Sequence, residues 1–132
     1  MSQEQVKLTQ RLYEAFGRGD IPTVLEAMDP NIEWNEPQAS GYPSAGTHRG
    51  PQEVGSIVFG TIPQYYQEFA IIPQEFVDTG ERVFVLGEAV GKGKASGTAF
   101  RVSLVHILTF RDGKWVRFQE ITDAGTIAAA LK

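Results

Sequence analysis

The chain has 132 residues, which suits one domain and leaves no room for a second independent core. Its formal net charge of −4 argues against nucleic acid as the main partner, because phosphate binding needs a basic surface. The absence of cysteine excludes disulfides, thiolate metal sites and cysteine nucleophiles. Its polar, acidic start and its lack of any apolar run near the roughly 20 residues that span a bilayer predict a cytoplasmic protein with no membrane partner.

Two amphipathic helices are predicted at the start of the chain. Apolar residues recur at helical spacing up to Gly17, where we expect the first helix to end. Asp20 then has the position of an N-cap, and Pro22 falls in the first turn of a second helix. We expect Pro30 to end that second helix, because proline lacks the amide that a helix interior needs.

A short strand with one carboxylate on its apolar side is predicted next. Ile32, Trp34 and Glu36 alternate with polar residues, which is the period of a half-buried strand. Glycine, proline and serine then predict a loop over residues 37–49. A third helix is expected over residues 50–63, where apolar side chains return at helical spacing.

The second half of the chain predicts an antiparallel meander. Strands are expected at residues 69–77, 82–90, 98–110 and 115–122. Short turns with glycine or aspartate connect them, and Asp123 has the position of a cap for a short final helix. Helices gathered on one face of a curved sheet form an α+β domain, and the cavity that such a sheet leaves is a natural site for a small ligand.

Five short motifs, in this order, resemble the SnoaL-like branch of the NTF2-like superfamily. They are YEAFGRGD at residues 13–20, DPNIEW at 29–34, HRGP at 48–51, FRDGK at 110–114, and Asp123 after the last predicted strand. Together they span nearly the whole chain. The resemblance implies a single domain over residues 1–132, with the cystatin-like cone in which three N-terminal helices pack on a strongly curved, mainly antiparallel sheet.

The resemblance also implies a range of functions. The superfamily includes steroid isomerases, polyketide cyclases, epoxide hydrolases and dehydratases, as well as non-catalytic transport and association domains. The fold alone does not choose among them, so the choice depends on individual side chains. A homodimer is implied too, because the family buries one face of its sheet in a two-fold interface.

His106 and Glu120 are the leading candidates for chemistry. His106 interrupts an otherwise apolar predicted strand, where a buried polar group needs a hydrogen-bond partner. The resembling steroid isomerases have a protonated aspartic acid at the position of His106. The resembling polyketide cyclases have an acid–base aspartate at the position of Glu120, at this same spacing after a pocket histidine. The alternatives are a structural histidine and a glutamate that is ion-paired with Arg101 or Arg117.

The turn over residues 111–114 decides whether these two side chains face each other. A two-residue type I′ turn would pair His106 with Gln119 and turn Glu120 away. A three-residue loop with a left-handed glycine would pair His106 with Phe118 and place Glu120 diagonally on the same face. The alternation of apolar residues favours the second register.

Glu36 is the rival base. The tripeptide at residues 35–37 is similar to the motif that carries the general base of steroid isomerases, with glutamate in place of aspartate. The oxyanion tyrosine of those enzymes falls on Leu12 here, and Tyr13 is one residue away, or roughly 100° around a helix. The complete steroid-isomerase constellation is therefore not present.

The other site candidates are pocket walls and loop residues. Aromatic side chains expected to line the substrate pocket are Trp34, Phe59, Tyr66 and Phe118. Tyr42 and His48 lie in the polar loop and are candidate lid residues, and Asp123 is a substrate-binding candidate that also fits a helix cap. No metal is expected, because His48 and His106 lack any close ligand spacing, and no cofactor motif occurs.

Two classes of function remain open. The first is a cofactor-free isomerase, cyclase or hydrolase acting on a small hydrophobic carbonyl or polyketide-like compound. In it Glu120 moves the proton, His106 orients Glu120 or polarises the substrate, and Glu36 assists or replaces the base. The second is a non-catalytic ligand-binding or dimeric assembly domain that uses the same cavity or the outer face of the sheet.

Overall fold

The computed structural model describes residues 2–132. Its helices are α1 (Ser2–Gly17), α2 (Ile21–Glu26), α3 (Pro51–Glu53) with a π-helix directly after it (Val54–Phe59), α4 (Ile62–Tyr65) and α5 (Ala124–Leu131). Its strands are β1 (Met28–Glu36), β2 (Gly46–Arg49), β3 (Tyr66–Asp78), β4 (Arg82–Gly93), β5 (Ala99–Arg111) and β6 (Lys114–Thr122). Within the described residues, no helix is both long and apolar enough to cross a membrane.

The six strands form one mixed sheet in the order β2–β1–β6–β5–β4–β3. Neighbouring strands are antiparallel except β1 and β6, which run parallel to each other. β2 and β3 are the edge strands, so the sheet is not closed into a barrel. The predicted α+β class, with helices packed on a mainly antiparallel sheet, is confirmed.

One face of the sheet carries the core, and we call it the inner face. On β5 the even-numbered residues from Phe100 to Phe110 are buried, as expected when alternate side chains point to the same side. Two apolar clusters cover this face, one around α1 and the other around α5. Leu108 belongs to the first and Leu104 to the second. His106 therefore lies where the two clusters meet.

The second helix is shorter than predicted. α2 ends at Glu26, and Met28 already pairs with Trp115 of β6. The Trp115 amide donates to the Ala27 carbonyl oxygen at 3.1 Å, so sheet pairing begins before Pro30. Pro30 itself lies in the irregular stretch between the two paired parts of β1, where its missing amide costs no ladder hydrogen bond.

The region predicted as a loop and a third helix is also different. Gly46–Arg49 forms the edge strand β2, which pairs with β1 so that His48 lies opposite Trp34. The helix is divided, because the π-helix follows α3 and Pro63 lies in the first turn of α4. Proline is well tolerated there, since amides of a first turn have no partner within the helix.

The β5–β6 hairpin has neither of the two predicted registers. The central residues of the 111–114 turn have φ of 52° and 78°, as a two-residue type I′ turn requires, so the favoured three-residue loop is wrong. A β-bulge at Val116 then adds one residue to β6 and shifts the pairing beyond it. As a result, His106 lies directly opposite Glu120.

Candidate active site

A cavity of about 90 Å³ lies between the inner face and the helices, where the two apolar clusters meet. This is several times the space that one water molecule needs. Eight of the ten predicted site residues line it, namely Trp34, Glu36, Tyr42, Phe59, Tyr66, His106, Phe118 and Glu120. The remaining two, His48 and Asp123, are not among the lining residues. The walls are mostly aromatic and aliphatic, so the few polar groups determine the chemistry of the cavity.

Glu120 is the centre of the polar network in this cavity. Its side chain is 8% exposed. Oε1 accepts a hydrogen bond from the Tyr42 hydroxyl at 2.7 Å, and Oε2 lies 2.8 Å from Nε2 of His106. The carboxyl group of Glu36 lies close enough to Glu120 to affect its pKa. The bulge in β6 is what turns this carboxyl group inward, because without it Glu120 would face the other side of the sheet.

Glu36 reaches the cavity from the parallel neighbour of β6. Trp34 of β1 is paired with Phe118, and the two rings stack with centroids 3.8 Å apart, which brings the end of β1 beside Glu120. The Glu36 carboxyl group accepts hydrogen bonds from the Trp34 indole at 2.6 Å and from the Ser44 hydroxyl at 2.9 Å. Glu36 is 9% exposed. A buried carboxyl group with these partners is held in a fixed position.

The two carboxyl groups have opposite pKa shifts. Burial, followed by the negative charge of Glu120, raises the pKa of Glu36 well above its ordinary value. Burial also acts to raise the pKa of Glu120, but the hydrogen bond and the electrostatic attraction of His106, followed by the Tyr42 and Glu36 side chains, outweigh it, and that pKa is lowered. Two buried carboxyl groups in contact do not both ionise. A single proton on the pair is therefore favoured on Glu36, and the negative charge is favoured on Glu120.

Both ring nitrogens of His106 have a partner. Nε2 faces Glu120, and Nδ1 lies 2.6 Å from the hydroxyl oxygen of Tyr13 on α1. The ring is 5% exposed and is in edge-to-face contact with Phe118, with centroids 4.8 Å apart. Burial raises the pKa of Tyr13 well above its ordinary value, so the phenol keeps its proton at neutral pH. His106 is thus part of a polar chain from α1 to β6.

The loop between β1 and β2 closes over the carboxyl pair. Tyr42 donates to Glu120 and Ser44 donates to Glu36, so one hydroxyl group from the loop reaches each carboxyl group. His48 was a candidate lid residue, but it lies beneath this loop. Its Nε2–H donates to the Ser44 carbonyl oxygen at 2.8 Å, and its Nδ1 lies 3.5 Å from the Glu53 carboxylate. His48 therefore supports the loop from outside the cavity.

Asp123 is a helix cap and lies outside the cavity. Its carboxylate accepts hydrogen bonds from the backbone amide of Thr126 at 3.1 Å and from the Thr126 hydroxyl at 2.7 Å. These contacts satisfy an amide at the start of α5 that has no partner within the helix. The substrate-binding role considered for Asp123 therefore has no geometric support, whereas the capping role does.

The alternative ion pairs considered for Glu120 are made with other partners. Arg101 pairs with Glu88, and Arg117 pairs with Glu33, with Nε and Oε2 3.2 Å apart. Both pairs lie on the opposite side of the sheet from the cavity, which we call the outer face. Glu120 consequently depends on the neutral hydroxyl and carboxyl groups and the imidazole of the inner face.

Sequence reasoning missed two polar residues of the site, Tyr13 and Ser44. Leu12, Tyr13 and Phe16 all line the cavity, so the apolar stripe of α1 is wide enough to include the tyrosine. The width of this apolar stripe was the feature of the sequence that could have identified Tyr13. For Ser44 the sequence offered none, since a serine in a loop is ordinary. Within residues 2–132, no group of three or more His, Asp or Glu side chains is arranged to hold a metal ion.

Comparisons with known proteins agree with this architecture. The profile of the SnoaL-like domain matches residues 9–118. Among solved structures, an NTF2-like protein of unknown function from Burkholderia pseudomallei is 31% identical, with a TM-score of 0.88 over 96% of this chain and 95% of that chain. An NTF2-like protein from Burkholderia xenovorans is 32% identical, with a TM-score of 0.87 over 100% of this chain and 98% of that chain.

A third similar structure comes from a co-crystallisation with a small molecule. TerC, co-crystallised with polyporic acid, is 28% identical, with a TM-score of 0.85 and 96% of each chain covered. A search of curated proteins finds no significant match. The predicted resemblance to NTF2-like proteins is confirmed at the level of fold.

Proposed function

This chain belongs to the SnoaL-like family, and from the polar side chains of its cavity we propose that it is a cofactor-free acid–base enzyme acting on a small, largely apolar carbonyl compound. Glu120 is the base, Glu36 is the acid, and His106 holds Glu120 in place. The reaction begins with removal of a proton next to the carbonyl group. Isomerisation or cyclisation then follows from the enol that this step forms.

The observation that carries the proposal is that the buried carboxyl groups of Glu36 and Glu120 line the same largely apolar cavity and shift each other's pKa. The pKa of Glu36 is raised and that of Glu120 is lowered, so a proton donor and a proton acceptor coexist side by side at neutral pH. Environments that move the pKa values of two neighbouring groups apart are typical of acid–base catalysis. The ion pairs on the outer face do not place a proton donor beside a proton acceptor in this way.

The carboxyl pair can catalyse enolisation without a net change in its own protonation. The C–H bond next to the carbonyl group breaks, and its proton moves to Glu120. The electron pair shifts onto the carbonyl oxygen, which takes the proton from Glu36. The products are the enol, protonated Glu120 and ionised Glu36. A proton then passes from Glu120 to the neighbouring Glu36, which restores the starting state.

The walls of the cavity support an apolar substrate. Trp34, Phe59, Tyr66 and Phe118 contribute aromatic surface, and the low polarity around the carboxyl pair strengthens every electrostatic interaction there. TerC was co-crystallised with polyporic acid, which supports a small organic molecule as the ligand of this fold. We therefore include polyketide-like carbonyl compounds in the substrate class.

The proposal is tested by hydrogen–deuterium exchange at carbon. Small ketones, cyclic diketones and terpenoid ketones are first screened for thermal stabilisation of the protein, since a bound ligand raises its apparent stability. Each hit is then incubated with the protein in D₂O, and deuterium incorporation next to its carbonyl group is followed by NMR. This assay detects enolisation without knowledge of the final product.

Glu120→Gln is the decisive variant in this assay. Loss of the base should slow exchange by about 10²–10⁴-fold while the ligand still binds. Glu33→Gln is the matched control, because it removes a glutamate from β1 on the outer face. Equal exchange by wild type and Glu120→Gln, or exchange no faster than in buffer alone for every ligand that binds, would contradict the proposal.

A second candidate function is ligand binding without catalysis. Glu120 already has a hydrogen-bond partner at each carboxyl oxygen, Tyr42 at Oε1 and His106 at Oε2, and Glu36 lies beside it. A carboxylate held in this way is suited to a fixed binding contact. In that case the thermal-shift screen would give hits whose carbon-bound hydrogens exchange no faster than in buffer.

We also propose that the protein is a homodimer formed through the outer face of its sheet. An apolar strip crosses three strands of that face and consists of Phe84, Leu86, Val105, Ile107 and Ile121. Ile121 is 52% exposed and Leu86 is 36% exposed. Contiguous exposed apolar surface of this kind is typical of protein–protein contacts, and a second copy of the chain is the partner that the family resemblance implies.

Sedimentation velocity tests the dimer. Wild type should sediment as a dimer, and the double variant Leu86→Lys with Ile121→Lys should sediment as a monomer, because two buried unpaired charges per subunit oppose association. The double variant Gln10→Lys with Gln64→Lys, at two exposed helix positions outside the strip, is the control for added charge. A monomeric wild type at micromolar concentration would refute the proposal.

A further inference from the structure

We infer that Tyr13 is a positioning residue that donates its hydroxyl proton to Nδ1 of His106 and thereby holds this ring as the hydrogen-bond donor to Glu120. The three groups form one chain, with 2.6 Å between the Tyr13 hydroxyl oxygen and Nδ1 and 2.8 Å between Nε2 and Glu120 Oε2. The consequence of this chain for turnover rests on the proposed function. The direction of the hydrogen bonds does not.

The Glu120 end of the chain fixes the proton on Nε2. Glu120 accepts a hydrogen bond from the Tyr42 hydroxyl group at Oε1, and this contact together with the neighbouring His106 ring lowers its pKa and favours its ionised form. An ionised carboxylate has no proton to donate. The short contact between Glu120 and Nε2 is therefore a hydrogen bond only if Nε2 carries a proton.

The Tyr13 end of the chain fixes the other nitrogen. The phenol keeps its proton because burial raises its pKa, and the described residues give the Tyr13 hydroxyl no hydrogen-bond partner besides His106. A buried hydroxyl proton without an acceptor is costly. Both groups are satisfied together when Tyr13 donates and Nδ1 accepts, which requires that Nδ1 has no proton of its own.

The surrounding rings limit the ways in which His106 could reorient. Phe118 meets the imidazole edge-to-face on one side, and the Tyr13 ring, itself in edge-to-face contact with Phe76, lies 5.8 Å from the imidazole centroid. Tyr13 thus acts on the ring through both its hydroxyl group and its position. With Nδ1 occupied, His106 has no free nitrogen with which to take a proton from a substrate. It supports the base and does not replace it.

The protonation state of each nitrogen can be measured by NMR without a substrate. Long-range ¹H–¹⁵N spectra distinguish an unprotonated imidazole nitrogen from a protonated one, and the chain has only two histidines to assign. The signals that disappear in His106→Asn belong to His106. At neutral pH we expect one set of signals for this ring, with Nδ1 unprotonated and Nε2 protonated.

Tyr13→Phe is the test variant, because it keeps the aromatic ring and removes only the hydroxyl group. It should lower the population of the single ring state relative to other orientations and tautomers by about tenfold, seen as a second set of signals or as exchange broadening. Tyr66→Phe is the matched control. It also removes a hydroxyl group from the cavity wall, but that hydroxyl group is not part of the His106 chain, so the His106 signals should not change.

The outcomes separate this inference from the proposed function. A protonated Nδ1 in wild type, or an unchanged single ring state in Tyr13→Phe, would overturn the role of Tyr13. If the expected signals are found but Glu120→Gln exchanges deuterium as fast as wild type, the proposed function fails and the hydrogen-bond direction stands. If both hold, Tyr13→Phe should lower kcat for exchange with little change in KM, because Tyr13 positions the base and not the substrate.

Discussion

Glu33 and Glu36 are close neighbours on β1, yet they lie on opposite faces of the sheet and differ in almost every physical property. Glu33 is on the outer face, where it is hydrogen-bonded to Asn35 and paired with Arg117 and Arg49. The hydrogen bonds from Asn35 and Arg117, together with the arginine charges, lower its pKa. Glu36 is buried on the inner face, and its pKa is raised.

The difference shows that the partners available on each face determine what a glutamate does. The outer face supplies arginine side chains and water, which stabilise a carboxylate and leave it without a proton at neutral pH. Among the described residues, the partners of Glu36 on the inner face are a hydroxyl group, an indole and a second carboxyl group. Only the inner glutamate therefore retains a proton that it can transfer at neutral pH.

The largest expected effect that tests this comparison is on the rate of proton transfer. Glu36→Gln should slow deuterium exchange by about 10²–10⁴-fold at neutral pH, because glutamine occupies the same space but cannot give a proton to the carbonyl oxygen. Glu33→Gln should leave the rate unchanged. The measurement is the NMR exchange assay with a ligand found in the thermal-shift screen.

The pH dependence of the same rate gives an independent check. In wild type the rate should fall as pH falls through the lowered pKa of Glu120, which must be ionised, and also as pH rises through the raised pKa of Glu36, which must be protonated. Glu36→Gln should lose the decline on the alkaline side. A wild-type rate that rises steadily to high pH would show that Glu36 is not the acid.

The positions of Glu36, His106 and Glu120 on the inner face could be predicted only in part from the sequence. Alternation along β1 and β5 correctly put Glu36 and His106 on the apolar side, because the period of a strand is local information. The pairing of His106 with Glu120 could not be derived, since it depends on the bulge at Val116. Trp115, just before the bulge, is buried against Trp34 of another strand, and such packing is tertiary.

The loop and helix contacts were harder to predict for a related reason. Tyr13 is one residue away from the position that resembles the oxyanion tyrosine of steroid isomerases. Its long side chain nevertheless reaches His106 from α1. Ser44 and Tyr42 depend on the path of the β1–β2 loop, which is held by the buried His48. The sequence therefore predicted most of the polar and aromatic side chains that line the cavity, whereas the contacts that orient them required the structure.

A smaller effect is expected on stability, and its sign follows from the raised pKa of Glu36. Relative to the unfolded chain, where the pKa is near 4.5, folding favours the protonated form. The stability that Glu36 contributes is complete below that pH and is lost as pH rises towards its folded-state pKa. Glu36→Gln has no such loss. Its free energy of unfolding should therefore improve relative to wild type by up to about 1.4 kcal/mol per pH unit over this range.

Urea unfolding at a series of pH values from 5 upwards measures this difference. Glutamine is a suitable replacement because its amide can donate to Glu120 as the protonated carboxyl group does, while its carbonyl oxygen accepts from Trp34. A difference between variant and wild type that stays constant with pH would mean that Glu36 is ionised in the folded protein. The one-proton description of the pair would then be wrong.

The smallest expected effect is the corresponding change on the outer face, and its pH dependence has the opposite sign. Glu33→Gln should change the free energy of unfolding by no more than about 0.5–1 kcal/mol at neutral pH, because its ion pairs are partly exposed and screened by salt. The folded-state pKa of Glu33 is lowered, so its contribution is present above pH 4.5 and is lost as pH falls through that pKa. Urea unfolding should show wild type and Glu33→Gln converging in acid, whereas wild type and Glu36→Gln diverge towards alkaline pH. If the free energies of unfolding of the two variants, relative to wild type, changed with pH in the same way, the two sheet faces would not shift the pKa values of Glu33 and Glu36 in opposite directions.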